Sequence, residues 1–295
     1  MQISVVITCF NHEAFIATCI KSVIKQSIFS NCELVIFDDC STDNTIKEIH
    51  KITSGLKNVR VFRNDNNIGM LKNFSQAINR TSCEFIAYLD GDDYFIRQDK
   101  LEQDLQFLLK KDDRNFVFSP AFIEKEGVLT NVTRNRYLIW REQVSIEWLS
   151  KRGGGFYPTS SVFFRKRILA DLPFDYWMYN DQYDLPLAIA AILYGKKIHY
   201  RNEIATVYRV HNKSVSNKQK SKYSEAKRLI IRRKKNISYA KMLLRNQLID
   251  RLTSNYLIHW EKFNCAWRLL DVGYLNSNIG RAIYETDGWF RVILF

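Results

Sequence analysis

Ile3-Ser4-Val5-Val6-Ile7-Thr8-Cys9-Phe10-Asn11 begins as a β-branched run and breaks into polar residues. A run this short and this rich in Val and Ile reads as a strand buried on both faces. A helical pattern follows directly, with Ile16, Ile20, Val23 and Ile24 on one face. Further β-branched and aromatic runs stand at Glu33–Phe37, Val59–Phe62 and Glu84–Leu89, each bounded by turn formers. After the last of these, Leu101, Leu105, Leu108 and Leu109 again recur at helical spacing. Strand and helix alternate at about 25 to 30 residues, the rhythm of βαβ units. Right-handed crossovers then build a mostly parallel sheet with helices on both faces, an α/β fold of the type that binds nucleotides.

Residues 115–215 are less regular. Strands are expected at Phe116–Ser119, Ser161–Phe164, Lys197–Tyr200 and Ala205–Val210, a helix over Leu185–Tyr194, and a mobile loop at Gly153-Gly154-Gly155. From Lys218 onward the strand signal fades, and Ile237, Leu244, Leu248 and Leu252 sit at helical spacing amid Lys and Arg. The expected organisation is a domain over residues 1–216 in two halves, 1–120 and 121–216, followed by a basic helical appendage over 217–295. No linker composition marks the boundary near Asn217.

Composition narrows the class. The 295 residues are 46% hydrophobic and 25% charged, which excludes wholesale disorder, collagen-like repetition and a multi-span membrane protein. The formal charge of +13 is uneven, with −2 over residues 1–120, +5 over 121–215 and +10 over 216–295. A basic partner surface therefore belongs to the last segment, where Lys227-Arg228 and Arg232-Arg233-Lys234-Lys235 interleave with Ile230, Ile231, Tyr239, Tyr256 and Trp260. Such a stripe suits an anionic membrane surface or solvent, and no nucleic-acid motif accompanies it. The six cysteines include no pair spaced by two residues and are expected to be reduced thiols of a cytoplasmic protein. The first basic residue is Lys21, so no signal peptide is expected. The longest apolar run, Leu185 to Tyr194, is half of the roughly 20 residues a spanning helix needs.

Polar residues cluster where the strands end. The first strand runs into Thr8-Cys9-Phe10-Asn11, the second into Asp38-Asp39-Cys40-Ser41-Thr42-Asp43, and the fourth into Asp90-Gly91-Asp92-Asp93. In a parallel sheet ligands bind beyond those carboxyl ends. One rim is thus expected to gather up to five carboxylates without a matching set of local cations. Ser41, Thr42 or Asp43 is well placed to cap the next helix instead. In an extended turn Asp90 and Asp92 point the same way, and hard oxygen ligands suit Mg²⁺ or Mn²⁺.

Ser4-Val5-Val6-Ile7-Thr8-Cys9-Phe10-Asn11, Asp38-Asp39-Cys40-Ser41-Thr42-Asp43, Asn67-Ile68-Gly69 with Lys72-Asn73, and Tyr88-Leu89-Asp90-Gly91-Asp92-Asp93 stand in this order along the chain. Together they resemble the donor half of a family 2 glycosyltransferase of the GT-A fold, and the resemblance extends more loosely to about Ser216. It implies an inverting enzyme of surface-polysaccharide biosynthesis that takes a nucleotide-sugar donor, usually UDP-linked, and serves a glycan or lipid-linked glycan acceptor. By the same resemblance Thr8, Asn11, Asp38, Asp39, Lys72 and Asp90 line the donor site, Asp39 on the uracil or ribose and Asp90 on the ribose. Asp92 would hold the metal, with His211 of Tyr208-Arg209-Val210-His211 nearby. Lys72 stands where many members carry Arg, so its contact would be a point charge rather than a planar fork.

Inverting transfer also needs a base for the acceptor hydroxyl. Asp181 and Asp184 are the candidates, and counting back from Gly195-Lys196 favours Asp184. Capping the helix it opens is the competing role for Asp184. Two other classes stay in view. A nucleotidyltransferase of similar sheet would carry a Gly-rich phosphate loop after the first strand, whereas Thr8-Cys9-Phe10-Asn11-His12-Glu13 has no glycine. A non-catalytic sugar-nucleotide scaffold would not need the base.

Overall fold

The computed structural model describes residues 1–133, 157–170, 172–173, 176–179, 183–195, 197–212, 224–251, 253–255 and 257–258. Gly153-Gly154-Gly155, Asp181, Leu252 and Cys265 lie outside the described residues. The chain divides into two units, Met1–Val210 and His211–Phe295, rather than after Ser216.

In the first unit β1 (Ile3–Cys9), α1 (Ile16–Ile24), β2 (Cys32–Asp38), α2 (Thr45–Thr53), β3 (Val59–Arg63), α3 (Met70–Asn79) and β4 (Phe85–Asp90) alternate strictly. They are followed by β5 (Tyr94–Phe95), α4 (Lys100–Leu109), β6 (Phe116–Phe118), β7 (Ala121–Lys125), β8 (Val128–Val132), β9 (Phe163–Arg165), α5 (Asp184–Gly195), β10 (His199–Tyr200) and β11 (Thr206–Val210). Seven strands form one sheet in the order β10-β6-β9-β4-β1-β2-β3. All its pairings are parallel except those of β9, which runs antiparallel to β4 and β6.

Every residue of β1 and β2 is buried, as strands covered on both faces require. Ile16, Ile20 and Val23 of α1, Leu34 and Ile36 of β2, and Leu101, Leu105 and Leu108 of α4 join one core. Leu109 does not, being 52% exposed: the buried stripe of α4 runs through positions 101, 105 and 108, and Leu109 falls past its edge.

A second sheet, β5-β11-β7-β8, was not foreseen as a sheet. Its β5 is only two residues long. The β7–β8 hairpin turns at Glu126-Gly127, both at positive φ (50° and 79°), and Glu in the first of these places is a weaker hairpin signal than Asn or Asp.

In the second unit α6 (Glu225–Arg245) starts at Ser224, whose hydroxyl accepts the Lys227 N–H. Its buried face carries Asn236, Tyr239, Ala240 and Leu243. Ile237 and Leu244, the expected stripe, lie beside that face and are half-buried, as is Leu248. No helix of the described residues is long and apolar enough to cross a membrane. The five described cysteines are free thiols.

Candidate active site

The chain passes from β1 outward to β2 and β3, then returns so that β4 lies on the other flank of β1. This reversal opens a crevice at the carboxyl ends of β1 and β4. The registers are level there: Thr8 pairs with Asp90 and Cys9 with Asp38. The polar ends that the sequence placed on separate strands therefore share one rim.

The β1 and β2 ends are laced together. Asn11 sits at φ 57°, a left-handed position Asn tolerates, and its Oδ1 accepts the Thr42 N–H (2.8 Å) while its own N–H donates to Ser41 Oγ (2.9 Å). The His12 N–H donates to Thr45 Oγ1 (2.7 Å), and Asp43, rather than Ser41 or Thr42, accepts the Thr45 N–H (2.9 Å) at the start of α2.

Asp38 is fully buried, accepts both the N–H and the hydroxyl of Ser41, and lies 3.4 Å from Arg63 Nε. The rim thus does hold a local cation for one carboxylate, a correction that the register Asp38↔Arg63 explains. Asp39 is 3% exposed and accepts the N–H groups of Ile68 and Gly69 and the Asn64 amide, each at 2.9 Å. Its carboxylate clamps the segment leading into α3, where Lys72 stands exposed.

Asp90 ends β4 amid hydroxyls. Tyr88 donates to Oδ1 (2.7 Å) and Thr159 to Oδ2 (3.0 Å), while the Tyr183 hydroxyl lies 2.6 and 2.8 Å from the two oxygens. Because Tyr88 gives its only proton to Asp90, the Thr8 hydroxyl donates to the Tyr88 oxygen at 2.5 Å. Burial first, then the Asp92 charge, pushes the Asp90 carboxyl above the usual range against the pull of these donors.

Asp93 points inward, fully buried, and its carboxylate accepts the Ser160 hydroxyl and the Arg209 N–H (2.8 Å). Burial and the charges of Asp92 and Asp90 push it well above the usual range. Asp92 keeps its side chain 14% exposed, 3.9 Å from His12 Nε2. Arg209 anchors the turn from the second sheet: its guanidinium donates to the Asp92 carbonyl (3.0 Å) and Glu124 (2.7 Å) and lies over Tyr94.

Asp184 is half-buried as the first residue of α5, and its Oδ1 accepts the Leu185 N–H (2.8 Å). It lies inside the helix rather than at the cap position, so the expected capping role is taken only in part. Its neighbour Tyr183 reaches Asp90, which brings the start of α5 to the rim. Asp181 lies outside the described residues, and His211 opens the second unit directly after β11.

Sequence reasoning missed Thr159, Ser160 and Tyr183. For Tyr183 the signal was a tyrosine immediately before the candidate base; for the two hydroxyl residues there was none.

The sheet order, the acidic turn after β4 and the reversal beside β1 define a GT-A type fold. The glycosyl transferase family 2 model matches residues 4–173, and the chain belongs to that family. It is 28% identical over 216 residues to the UDP-Glc:α-D-GlcNAc-diphosphoundecaprenol β-1,3-glucosyltransferase WfaP of Escherichia coli, covering 72% of this chain and 79% of WfaP. With the GalNAc(5)-diNAcBac-PP-undecaprenol β-1,3-glucosyltransferase of Campylobacter jejuni it shares 26% identity over 214 residues, covering 71% of this chain and 65% of that enzyme. S. aureus TarS 1-349 in complex with UDP-GlcNAc superimposes with a TM-score of 0.62 at 18% identity, over 88% of this chain and 70% of that one. The mannosyltransferase PcManGT of Pyrobaculum calidifontis, in complex with GDP-Man and Mn²⁺, gives 0.58 at 13% identity, over 97% and 79%. The two structural likenesses concern the fold.

Proposed function

We propose that the protein is an inverting glycosyltransferase that moves a sugar from a UDP-sugar to a glycan or lipid-linked glycan acceptor in surface-polysaccharide biosynthesis. One observation carries the reading: the Asp90–Asp93 turn lies in the crevice beside β1, and Tyr183 ties the start of α5, with Asp184, to that turn. The undecaprenol-linked substrates in the names of the two relatives support the acceptor class, and the UDP-Glc in the name of WfaP supports the donor class.

Asp184 acts as the base. As the acceptor oxygen attacks the anomeric carbon, its proton passes to Asp184 and the bond from that carbon to the diphosphate oxygen breaks on the opposite face, which inverts the centre. The hydroxyl is far less acidic than a carboxyl group, so proton transfer accompanies attack rather than preceding it. Asp39 and Asp38 hold the base-side loops, and Lys72 stands as an exposed cation toward the donor's negative charge.

The residues also fit a divalent cation. Asp92, oriented by a turn whose neighbouring carboxylates raise one another's proton affinity, offers hard oxygen ligands. Among the described residues no three His, Cys, Asp or Glu groups gather around one point, so donor phosphate oxygens would complete the sphere. Bound there, Mg²⁺ or Mn²⁺ supplies positive charge for the departing diphosphate. Calorimetry with UDP tests this: with Mn²⁺ present, Asp92→Asn should weaken affinity by about tenfold to a hundredfold, the worth of one charged contact. EDTA should do the same to the unaltered chain. Equal affinity in all conditions would remove the metal.

The second unit supplies a cytoplasmic-face membrane contact in this reading. Lys227, Lys234, Lys241 and Arg245 are exposed along one side of α6, opposite its buried face. Near an anionic surface each contributes on the order of 1 kcal/mol. Sedimentation with phosphatidylglycerol vesicles should show binding that fades with salt, and a protein left in the supernatant at low salt would exclude it.

A further inference from the structure

Three phenols converge on the first turn of α5. The Tyr183 hydroxyl donates to the Asp90 carboxylate, the Tyr157 hydroxyl to the Asp184 carbonyl, and the Tyr176 hydroxyl to the Pro186 carbonyl at 2.8 Å. The rings are themselves held. Tyr183 is 3% exposed and stacks on Phe74 of α3 at 4.6 Å and 11°, with Tyr88 edge-on at 5.0 Å. The helix behind them is apolar all round, with Leu185 and Leu187 to Ala191 buried, so its first turn has little freedom of its own. A rotation of α5 has to break the bond from Tyr183 to Asp90 or slide Tyr183 off Phe74.

We infer that Tyr183 is a positioning residue that fixes the distance between the Asp90 rim and the Asp184 carboxylate. Tyr157 holds the same residue from its carbonyl side. The inference rests on Asp184 being the base. It differs from a general need of Asp90 for donors, because Thr159 also donates to Asp90, from the turn before β9, through a bond that includes no residue of α5. Displacing a reacting group by about 1 Å costs on the order of a hundredfold in rate. A hydrogen bond lost from a carboxylate that keeps its other donors would show instead in binding, by about tenfold.

The full chain carrying Tyr183→Phe keeps the ring stack and loses only the hydroxyl. With UDP-glucose and UDP-GlcNAc as donors, initial rates of UDP release give kcat and KM, and calorimetry gives UDP affinity. Tyr183→Phe should lower kcat by about 10- to 100-fold with UDP affinity changed by less than about threefold. Thr159→Val, which takes a donor from Asp90 but leaves the Tyr183 link to α5, should lower kcat several-fold less than Tyr183→Phe does. If Tyr183→Phe and Thr159→Val lower kcat alike, or if Tyr183→Phe weakens UDP as much as it lowers kcat, the inference is overturned. Should Tyr183→Phe lose its cooperative thermal transition, Tyr157→Phe takes its place: a drop in kcat at constant UDP affinity supports the inference, and an unchanged kcat overturns it. Asp184→Asn separates the two readings. If it retains full turnover the base assignment fails; if it is inactive while Tyr183→Phe matches the unaltered chain, only the positioning role fails.

Discussion

Replacing Asp184 by Asn is expected to lower turnover by about a hundredfold to ten-thousandfold, the worth of a positioned base. The geometry makes this substitution a clean one. Asp184 Oδ1 accepts the Leu185 N–H, a bond the Asn carbonyl oxygen can also make, so the start of α5 keeps its backbone partner. What disappears is the ability to take a proton. UDP affinity is therefore expected to stay within about threefold, because no donor contact is assigned to this side chain. Proton NMR of the product's anomeric centre, on the unaltered chain, should show inversion, and retention would rule out direct displacement. The same replacement at Asp181 should be milder; if Asp181→Asn abolishes transfer while Asp184→Asn does not, the base lies three residues earlier.

Gly91→Ala is expected to damage both stability and donor binding. Gly91 does not lie in the left-handed region; what it needs is space. A Cβ there would meet the Cβ of Cys9 at 2.7 Å, His12 Nδ1 at 2.8 Å and the Thr8 carbonyl at 3.1 Å. Cys9 is buried at the end of the central strand and cannot yield, so the Asp90–Asp93 turn has to lift. Overpacking of this kind costs about 1–3 kcal/mol, or roughly 2–12 °C in midpoint for a unit of this size. Lifting the turn also separates Asp90 from Thr8 and Tyr183, so UDP binding should fall by on the order of a hundredfold. A thermal melt and UDP calorimetry on Gly91→Ala check both effects. An unchanged melt with full UDP affinity would mean that the turn moves freely and does not set the site.

Ile3–Cys9, Cys32–Asp38 and Phe85–Asp90 were legible within a residue or two at each end because central parallel strands must be apolar on both faces, and the edge strand Val59–Arg63 from its short β-branched and aromatic run. Of the helices, α1 and α4 were legible from their apolar stripes, because a helix laid on a sheet buries one face. Elements held by longer-range needs were less so. The two residues of β5 exist only because β11 runs beside them, and α6 buries Asn236 and Tyr239 where the apolar pattern pointed to Ile237.

By itself the sequence determined that a nucleotide-binding type of sheet is present and that Asp38, Asp39, Asp90, Asp92 and Asp93 lie at its strand ends, since both follow from local apolar runs and where they stop. Only the tertiary structure decided what each carboxylate does. Asp38 is buried against Arg63 and Asp39 clamps the approach to α3. Asp93 turns inward, Asp90 is ringed by hydroxyls, and Asp92 keeps an exposed edge beside His12. The partners that make these distinctions stand 25 to 116 residues away, as Asn64 does from Asp39 and Arg209 from Asp93. No local pattern encodes such pairs; they arise when strand register brings distant turns to one rim, where burial makes every polar atom take a partner.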